Sequence, residues 1–520
     1  MSASPWSPCE VHPYTIQALE GLLAEKASSD PSVVSSKLHR TYFEEYFSFI
    51  GAKTIVVENY YIDHDYTDDY SKYYVRCFAP YRRTCVRLHF FDVPFAHDDL
   101  DGLIAGSNSS LPLDVLTDAY LGFIVVKPLP QSFVGRTCLR TYPTENTGRS
   151  YPITRQYDAN LFGFRLTVDT LAFQEQDSVA AACATSALWS AFQGTGKLFQ
   201  HTIPSPIEIT KAATAVNWTN ARTLPNSGLT IEQMAAAIRS LSLEPLAISV
   251  ENDEYLLQIL LYAYLKGKIP VVLLLMLGNI SVSPTTTYGL HAVTVTGFHL
   301  EASAPKAFNG FLLRAGSMDK IYVHDDQVGP FARMVFDGVV VPIGTNSFAS
   351  LSTSWLNSIR TSNLRAIPTF TLTPLYDKIR IPFTAVFGAV FQFDALIEQI
   401  RLRPGTPVLP DRLQWDIYLS TAGDYKSDVV PLRPLAPAER QDVLLQSMPR
   451  FIWCASAYCN GQVMFDLLFD ATDIESGKVF MRAIEYNSGI SSQIRTTIAA
   501  SGSAGFIPNA IYRAIIDWFR

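Results

Sequence analysis

The sequence predicts an α+β protein built from three regions, which we place at residues 1–155, 156–345 and 346–520. Helical segments and short apolar, strand-like runs occur together along the chain. An Asn-Gly pair between two apolar runs indicates a hairpin in the third region. The 520 residues, 48% of them hydrophobic and 17% charged, are enough for several cores. We therefore expect an N-terminal α/β region, a central region of helices and strands, and a β-rich C-terminal region.

The first region opens with a helical segment at about residues 13–26. Three strand-like runs follow it, at residues 54–57, 87–93 and 120–126. This mixture of one helix and several strands is the basis for expecting an α/β region.

The third region contains the clearest local signal of strand pairing. Apolar runs at residues 452–458 and 463–469 flank Asn460 and Gly461, which suit a two-residue hairpin turn. Residues 507–519 have a helical pattern at the end of the chain. The region is therefore expected to be β-rich and to end in a helix.

The net charge, the length of the apolar stretches and the cysteine content limit the cellular compartment and the binding partners that we expect. A net charge of −7 provides no general attraction to nucleic acid, so we expect no nucleic-acid partner. The longest apolar stretch, residues 269–277, is too short for a bilayer, and the N-terminus lacks a signal-peptide pattern. Seven cysteines without zinc-knuckle spacing fit free thiols in a reducing compartment. These features predict a cytoplasmic protein with no membrane partner.

Cys183 lies in a segment of strong helix propensity. Residues 180–192 are mostly Ala, with larger apolar side chains for packing. Asp177 and Ser178 are candidates to cap this helix, which would place Cys183 in its first two turns. Unpaired amides and the helix dipole favour a thiolate there, and the thiolate is the nucleophilic form. The alternative interpretation is a small buried cysteine in an Ala-rich helix.

His291 and a pair of aspartates follow on two later strands. The alternation after His291 predicts a strand that His291 opens. The next strand, residues 321–324, ends at Asp325 and Asp326. A carboxylate at that position is well placed to accept a proton from an imidazole and hold the ring, although a simple turn aspartate is the alternative.

The order of these elements, a helix with Cys, a strand with His and a later strand with Asp, resembles the papain-like cysteine peptidase superfamily. The sequence is most similar to bacterial peptidases that process the double-glycine leaders of bacteriocins. Those peptidases share a strand near "PV", then "HAV", which begins here at His291, and a D-x-x-x-G motif, which Asp325 and Gly329 match. The resemblance covers about residues 160–340.

This resemblance implies a helical subdomain beside an antiparallel sheet and a Cys183–His291–Asp325 triad. An alignment with papain favours Asp326 as the third member. Gln176 would complete the oxyanion hole, although it stands seven residues before Cys183 instead of about six, and Gln174 is the alternative.

The same resemblance implies a hydrolase that needs no metal and no cofactor. Its substrate would be a peptide or protein. The resemblance does not extend to the flanking regions, whose size is typical of domains that gate a site, recruit a substrate or bind a partner protein. Two other classes remain open: an acyl transferase on the same triad, and a non-catalytic scaffold that keeps the fold.

Overall fold

The structure, a computed structural model, describes residues 7–107, 110–177, 179, 182–215, 228–280, 286–303, 305–353, 363–403, 409–475, 477–500 and 509–520. It is a mixed α+β protein with several antiparallel sheets. The chain forms two compact units. The first unit contains Met1–Asn252, Pro270–His299 and Lys320–Pro374, and the second contains Asp253–Ile269, Leu300–Asp319 and Leu375–Arg520. This division differs from the three regions drawn along the sequence, because the chain leaves the first unit and returns to it twice.

The N-terminal part of the first unit is a five-stranded antiparallel sheet in chain order. Its strands are Cys9–Pro13, Thr54–Tyr61, Cys85–Phe91, Tyr120–Val126 and Val134–Leu139. Its helices are Ile16–Ala27, Pro31–Ser36, Leu38–Ile50, His64–Lys72, His97–Ile104 and Leu113–Asp118. The expected helix and all three expected strands are present, but the α/β expectation was wrong. Each strand pairs with the next one along the chain in the antiparallel direction, so no parallel crossover forms.

The central part of the first unit contains a closed ring of antiparallel strands. In order, these are Val271–Asn279, Thr286–Leu300, Met318–Asp325, Gly329–Val335, Leu351–Ser352 and Leu364–Tyr376, which pairs back onto Val271–Asn279. Leu243–Ser249 lies beside the last of them, and Arg149–Ser150 beside the second. Two separate hairpins are formed by Arg155–Leu161 with Phe164–Thr170 and by Val340–Ile343 with Asn346–Ala349.

Three helices accompany this ring in the first unit: Cys183–Phe199, Pro206–Thr214 and Ile231–Arg239. The third begins with a capping box in which the Thr230 hydroxyl and the Gln233 side chain each bond the other residue's amide. Cys183–Phe199 is the longest of the three, and most of its residues are buried. We call it the cysteine helix.

The second unit is built on a six-stranded sheet with strands Ala307–Phe308, Phe311–Leu313, Gln414–Thr421, Phe451–Cys459, Gln462–Asp470 and Phe480–Glu485. Its helices are Glu254–Lys266, Phe383–Arg401, Ala422–Asp424, Pro437–Leu445, Ser488–Ala500 and Ala510–Trp518. The expected hairpin is confirmed, since Cys459 pairs with Gln462 around the Asn-Gly turn. The terminal helix is confirmed as well, and the Asn509 side chain caps it.

The helix Phe383–Arg401 was missed in the sequence. Among the described helices it alone is long and apolar enough, by length and composition, to cross a membrane, and 44% of its most apolar window is buried inside the protein. Phe393 on this helix stacks on Phe519, with ring centroids 5.4 Å apart. Such packing is typical of a core helix. The cytoplasmic location stays a prediction.

Candidate active site

Cys183 is the first residue of the cysteine helix, and its side chain is partly exposed. Ala182 occupies the N-cap position with an extended backbone and no capping side chain. Asp177 does not cap the helix, because its carboxylate accepts a hydrogen bond from the Val179 amide at 2.8 Å instead. Ser178 lies outside the described residues. The thiol therefore lies at the positive end of a long helix whose first amides lack a capping side chain.

His291 lies inside a long strand instead of opening it. We call Thr286–Leu300 the histidine strand. It extends five residues before His291 because its early residues pair with the end of Val271–Asn279, across an irregularity between Met276 and Gly278. The expectation that His291 opens the strand was therefore wrong, although the ring is buried and reaches the same cleft as Cys183.

Asp325 ends the strand Met318–Asp325 and contacts the imidazole directly. The Nε2 atom of His291 lies 3.1 Å from Oδ1 of Asp325. The Gln327 amide donates to the same oxygen, also at 3.1 Å, and this holds the carboxylate in place. Oδ1 of Asp326 lies 3.7 Å from Nε2, too far for a good hydrogen bond. Both aspartates are buried, and Asp325 is the better-placed partner.

The Cys183 side chain also interacts with the imidazole. Burial alone would lower the pKa of His291, but the Asp325 carboxylate, a hydrogen bond with Cys183 and the Asp326 carboxylate together raise this pKa well above its ordinary value. Since Asp325 occupies Nε2, Nδ1 is the nitrogen left for the thiol. The structure therefore brings Cys183, His291 and Asp325 into one contact chain.

Asp326 is electrostatically unusual. Burial, with a further contribution from Asp325, raises the pKa of its carboxyl to about 7, although His291 opposes that shift. Neither of its carboxylate oxygens, nor Oδ2 of Asp325, has a hydrogen-bond partner among the described residues. Two carboxylates thus face one imidazole in a buried space.

Cys183 and His291 open onto a cleft of about 1130 Å³ in the first unit, which we call the thiol cleft. Gln176 is among the residues that line it, whereas Gln174 is buried and is not one of them. Of the two glutamines considered from the sequence, Gln176 is therefore the one that a substrate in the cleft could contact.

Glu175 braces the segment that carries Gln176, and sequence reasoning missed it. Its amide donates to the Val134 carbonyl, its Oε2 accepts from the Val134 amide, both at 3.0 Å, and its other oxygen pairs with Lys37. Lys37 is 138 residues earlier in the chain, so no local pattern could have revealed the pair.

A second missed contact joins the cysteine helix to the histidine strand. The hydroxyl of Thr294, a buried residue of that strand, donates to the Ala187 carbonyl of the helix at 2.5 Å. This bond helps to hold the two elements that carry the thiol and the imidazole.

His291, Asp325 and Asp326 also have the composition of a metal-ligand set. One potential ligand atom from each lies within 4.8 Å of the others, and all three residues are buried. Within the described part of the chain no other group of His, Cys, Asp and Glu side chains meets this criterion.

No known family model matches the chain, and no curated protein matches it. The geometry of the thiol cleft is therefore the basis for assigning a function.

Proposed function

We propose that this protein is a cysteine peptidase of the papain-like type, with Cys183 as nucleophile, His291 as base and Asp325 as the residue that orients the imidazole. The contact chain from Cys183 through His291 to Asp325 carries this proposal. Its setting, a cysteine at the start of a long buried helix beside a closed antiparallel ring, is similar to the papain-like arrangement.

In the proposed reaction, His291 takes the proton of Cys183, and the thiolate attacks the carbonyl carbon of a peptide bond. The amide of Cys183 and the Gln176 side chain donate to the oxyanion, and each such donor typically lowers the barrier by roughly 3–4 kcal/mol. The imidazolium then protonates the leaving amine, which gives a thioester. Water, deprotonated by His291, releases the acyl group and restores the thiol.

Two features of the structure support a thiolate–imidazolium pair. The Asp325 carboxylate favours the protonated imidazole, and the start of the helix favours a negative sulfur. Asp325 also holds Nε2, which leaves Nδ1 as the ring nitrogen available to the thiol.

Alkylation by iodoacetamide near neutral pH tests the pair directly. Cys77 is the matched internal control, because it is partly exposed like Cys183. We expect Cys183 to be labelled much faster than Cys77 and to lose this advantage in His291→Ala. Equal rates for the two cysteines would contradict an activated thiol and would favour a scaffold.

Peptide hydrolysis separates the enzyme classes. A peptide library incubated with the protein should give cleavage that Cys183→Ala abolishes, while the melting temperature of this variant stays close to that of the wild type. Adding an amine acceptor distinguishes hydrolysis from acyl transfer, since a transferase would give amide products instead of free acids. A large loss of stability in Cys183→Ala would indicate that the thiol is merely part of the core.

A further inference from the structure

We propose that His291, Asp325 and Asp326 form a binding site for a divalent transition-metal ion, with zinc as the best match, and that the bound ion inactivates Cys183. The binding site is independent of the proposed peptidase activity. The effect on Cys183 rests on that activity.

The first observation concerns the hydrogen bonding of the Asp325 and Asp326 carboxylates. Asp326 is 3% exposed and neither of its oxygens has a hydrogen-bond partner in the described part of the chain, and the same is true of Oδ2 of Asp325. Burying such oxygens without a donor is costly. The described residues include no Lys or Arg that pairs with either carboxylate, and His291 is their shared cationic partner. A divalent cation would satisfy the free oxygens of both aspartates.

The second observation is the spacing of the ligand atoms. Nε2 of His291 lies 3.1 Å from Oδ1 of Asp325 and 3.7 Å from Oδ1 of Asp326. Zinc binds nitrogen and oxygen ligands at about 2.0–2.2 Å, and tetrahedral geometry then separates neighbouring ligand atoms by about 3.3–3.6 Å. These two distances bracket this range, and the third separation, between the two carboxylate oxygens, is at most 4.8 Å, so the aspartate side chains would adjust when the ion binds.

The ligand set selects the class of ion. One imidazole with two carboxylates suits zinc and other first-row transition metals, whereas magnesium and calcium prefer all-oxygen sites. Three protein ligands leave a fourth position for water.

The consequence for Cys183 follows from where the ion binds. Zinc would displace the proton of Nε2 to solvent and bind the lone pair that this proton had occupied. The proton left on the ring then lies on Nδ1, so the metal-bound imidazole has no lone pair with which to accept the proton of Cys183. The Cys183 thiol would then have no base to take its proton and no imidazolium to pair with the thiolate, so it would lose its activation.

The binding experiment uses the full chain with Cys183→Ala, so that the thiol cannot act as a ligand. Titration calorimetry with zinc chloride should give one ion per chain, and cobalt(II) should give an absorption spectrum typical of low coordination number. Asp326→Asn in the same background should weaken binding at least about tenfold. Asp158→Asn, which removes an exposed aspartate paired with Arg165, is the matched control and should leave the affinity unchanged. If Asp326→Asn does not fold, His291→Gln takes its place.

Absence of binding, or equal affinities in Asp326→Asn and Asp158→Asn, would overturn the site. For the inactivation, zinc should slow iodoacetamide labelling of Cys183 in the wild type, and a chelator should restore it. Equal slowing in Asp326→Asn would show that zinc binds the thiol instead, which overturns the inactivation through His291. Slow labelling of Cys183 without any metal would count against the peptidase proposal, while the titration would still decide the metal site.

Discussion

Asp325 and Asp326 are adjacent in sequence, yet only one of them is held in place beside His291. The Gln327 amide and the imidazole both bond Oδ1 of Asp325, whereas the oxygens of Asp326 have no hydrogen-bond partner among the described residues. A carboxylate that orients a catalytic imidazole must keep its own position during the reaction. The structure therefore favours Asp325 for this role.

The residue-scale prediction compares Asp325→Ala with Asp326→Ala. Because Asp325 makes the 3.1 Å contact with Nε2, its loss should lower kcat/KM by about a hundredfold or more. Asp326→Ala should have the smaller effect. Steady-state kinetics and the rate of Cys183 alkylation measure both variants, and a larger loss in Asp326→Ala would reverse the assignment of the third member.

At the scale of elements, the turn after Asp325 depends on Gly329, the glycine of the D-x-x-x-G motif. Gly329 opens the strand Gly329–Val335 and pairs with Asp325 across the turn. Its φ is +154°, and a Cβ atom there would lie 2.4 Å from the ring of Tyr42. A side chain at this position would push against a buried tyrosine or shift the turn that carries Asp325.

We therefore expect Gly329→Ala to lower the free energy of unfolding by about 2–4 kcal/mol, as overpacking and backbone strain add. Gly338→Ala is the matched control, because Gly338 has a φ of +72° but open space around it. That variant should lose only about 1 kcal/mol. Denaturant unfolding of both variants measures the difference, and equal losses would assign the effect of Gly329 to backbone strain alone.

The second unit contains a buried ionic network that should be costly to disrupt. The guanidinium of Arg433 donates to both oxygens of Asp466, at 2.9 and 3.0 Å. The hydroxyls of Tyr425 and Tyr486 donate to the same carboxylate, each at 2.8 Å. Asp466 is fully buried, so its loss would leave a guanidinium with few acceptors.

Asp466→Ala should therefore destabilise the protein by about 3–5 kcal/mol, the usual cost of breaking a buried pair. Asp442→Ala is the control, since Asp442 is exposed and pairs with Arg482 at the surface. We expect that control to change stability by less than about 1 kcal/mol. Thermal unfolding distinguishes the two, and a small effect of Asp466→Ala would show that the network adds little.

At the scale of the whole molecule, we expect a buried histidine to make the first unit sensitive to acid. His89 is fully buried, with Nδ1 2.9 Å from the Tyr120 hydroxyl and Nε2 3.2 Å from Glu58. Burial lowers the pKa of His89 to about 4 and outweighs the contact with Glu58. In the unfolded chain a histidine has a pKa of about 6.5. The unfolded chain therefore binds more protons, and stability is lost as the pH falls from about 6.5 toward 4.

His89→Gln should remove this loss, which amounts to at most about 3 kcal/mol for a shift of this size. The test compares the free energies of unfolding of the wild type and the variant at about pH 7 and about pH 4.5. The wild type should lose more stability on acidification. His97→Gln, a surface substitution, controls for removal of a histidine, and equal acid sensitivity in all three proteins would contradict the prediction.

Local structure could be predicted from the sequence because it depends on neighbours. The capping box at Thr230, the turn at Asn460 and the strand alternation after His291 each arise within a few residues. The candidate residues could also be selected from local patterns. Cys183 stands near the start of a predicted helix, His291 lies on a predicted strand, and Asp325 ends another strand just before a turn.

Only the tertiary structure decided which of these residues meet and how. The ring closes when Leu364–Tyr376 pairs with Val271–Asn279, and Lys37 reaches Glu175 across 138 residues. The choice between Asp325 and Asp326 depends on whether the carboxylate oxygen lies 3.1 or 3.7 Å from one imidazole nitrogen. Such contacts depend on how distant segments pack and share buried charge, and no window of neighbouring residues contains that information.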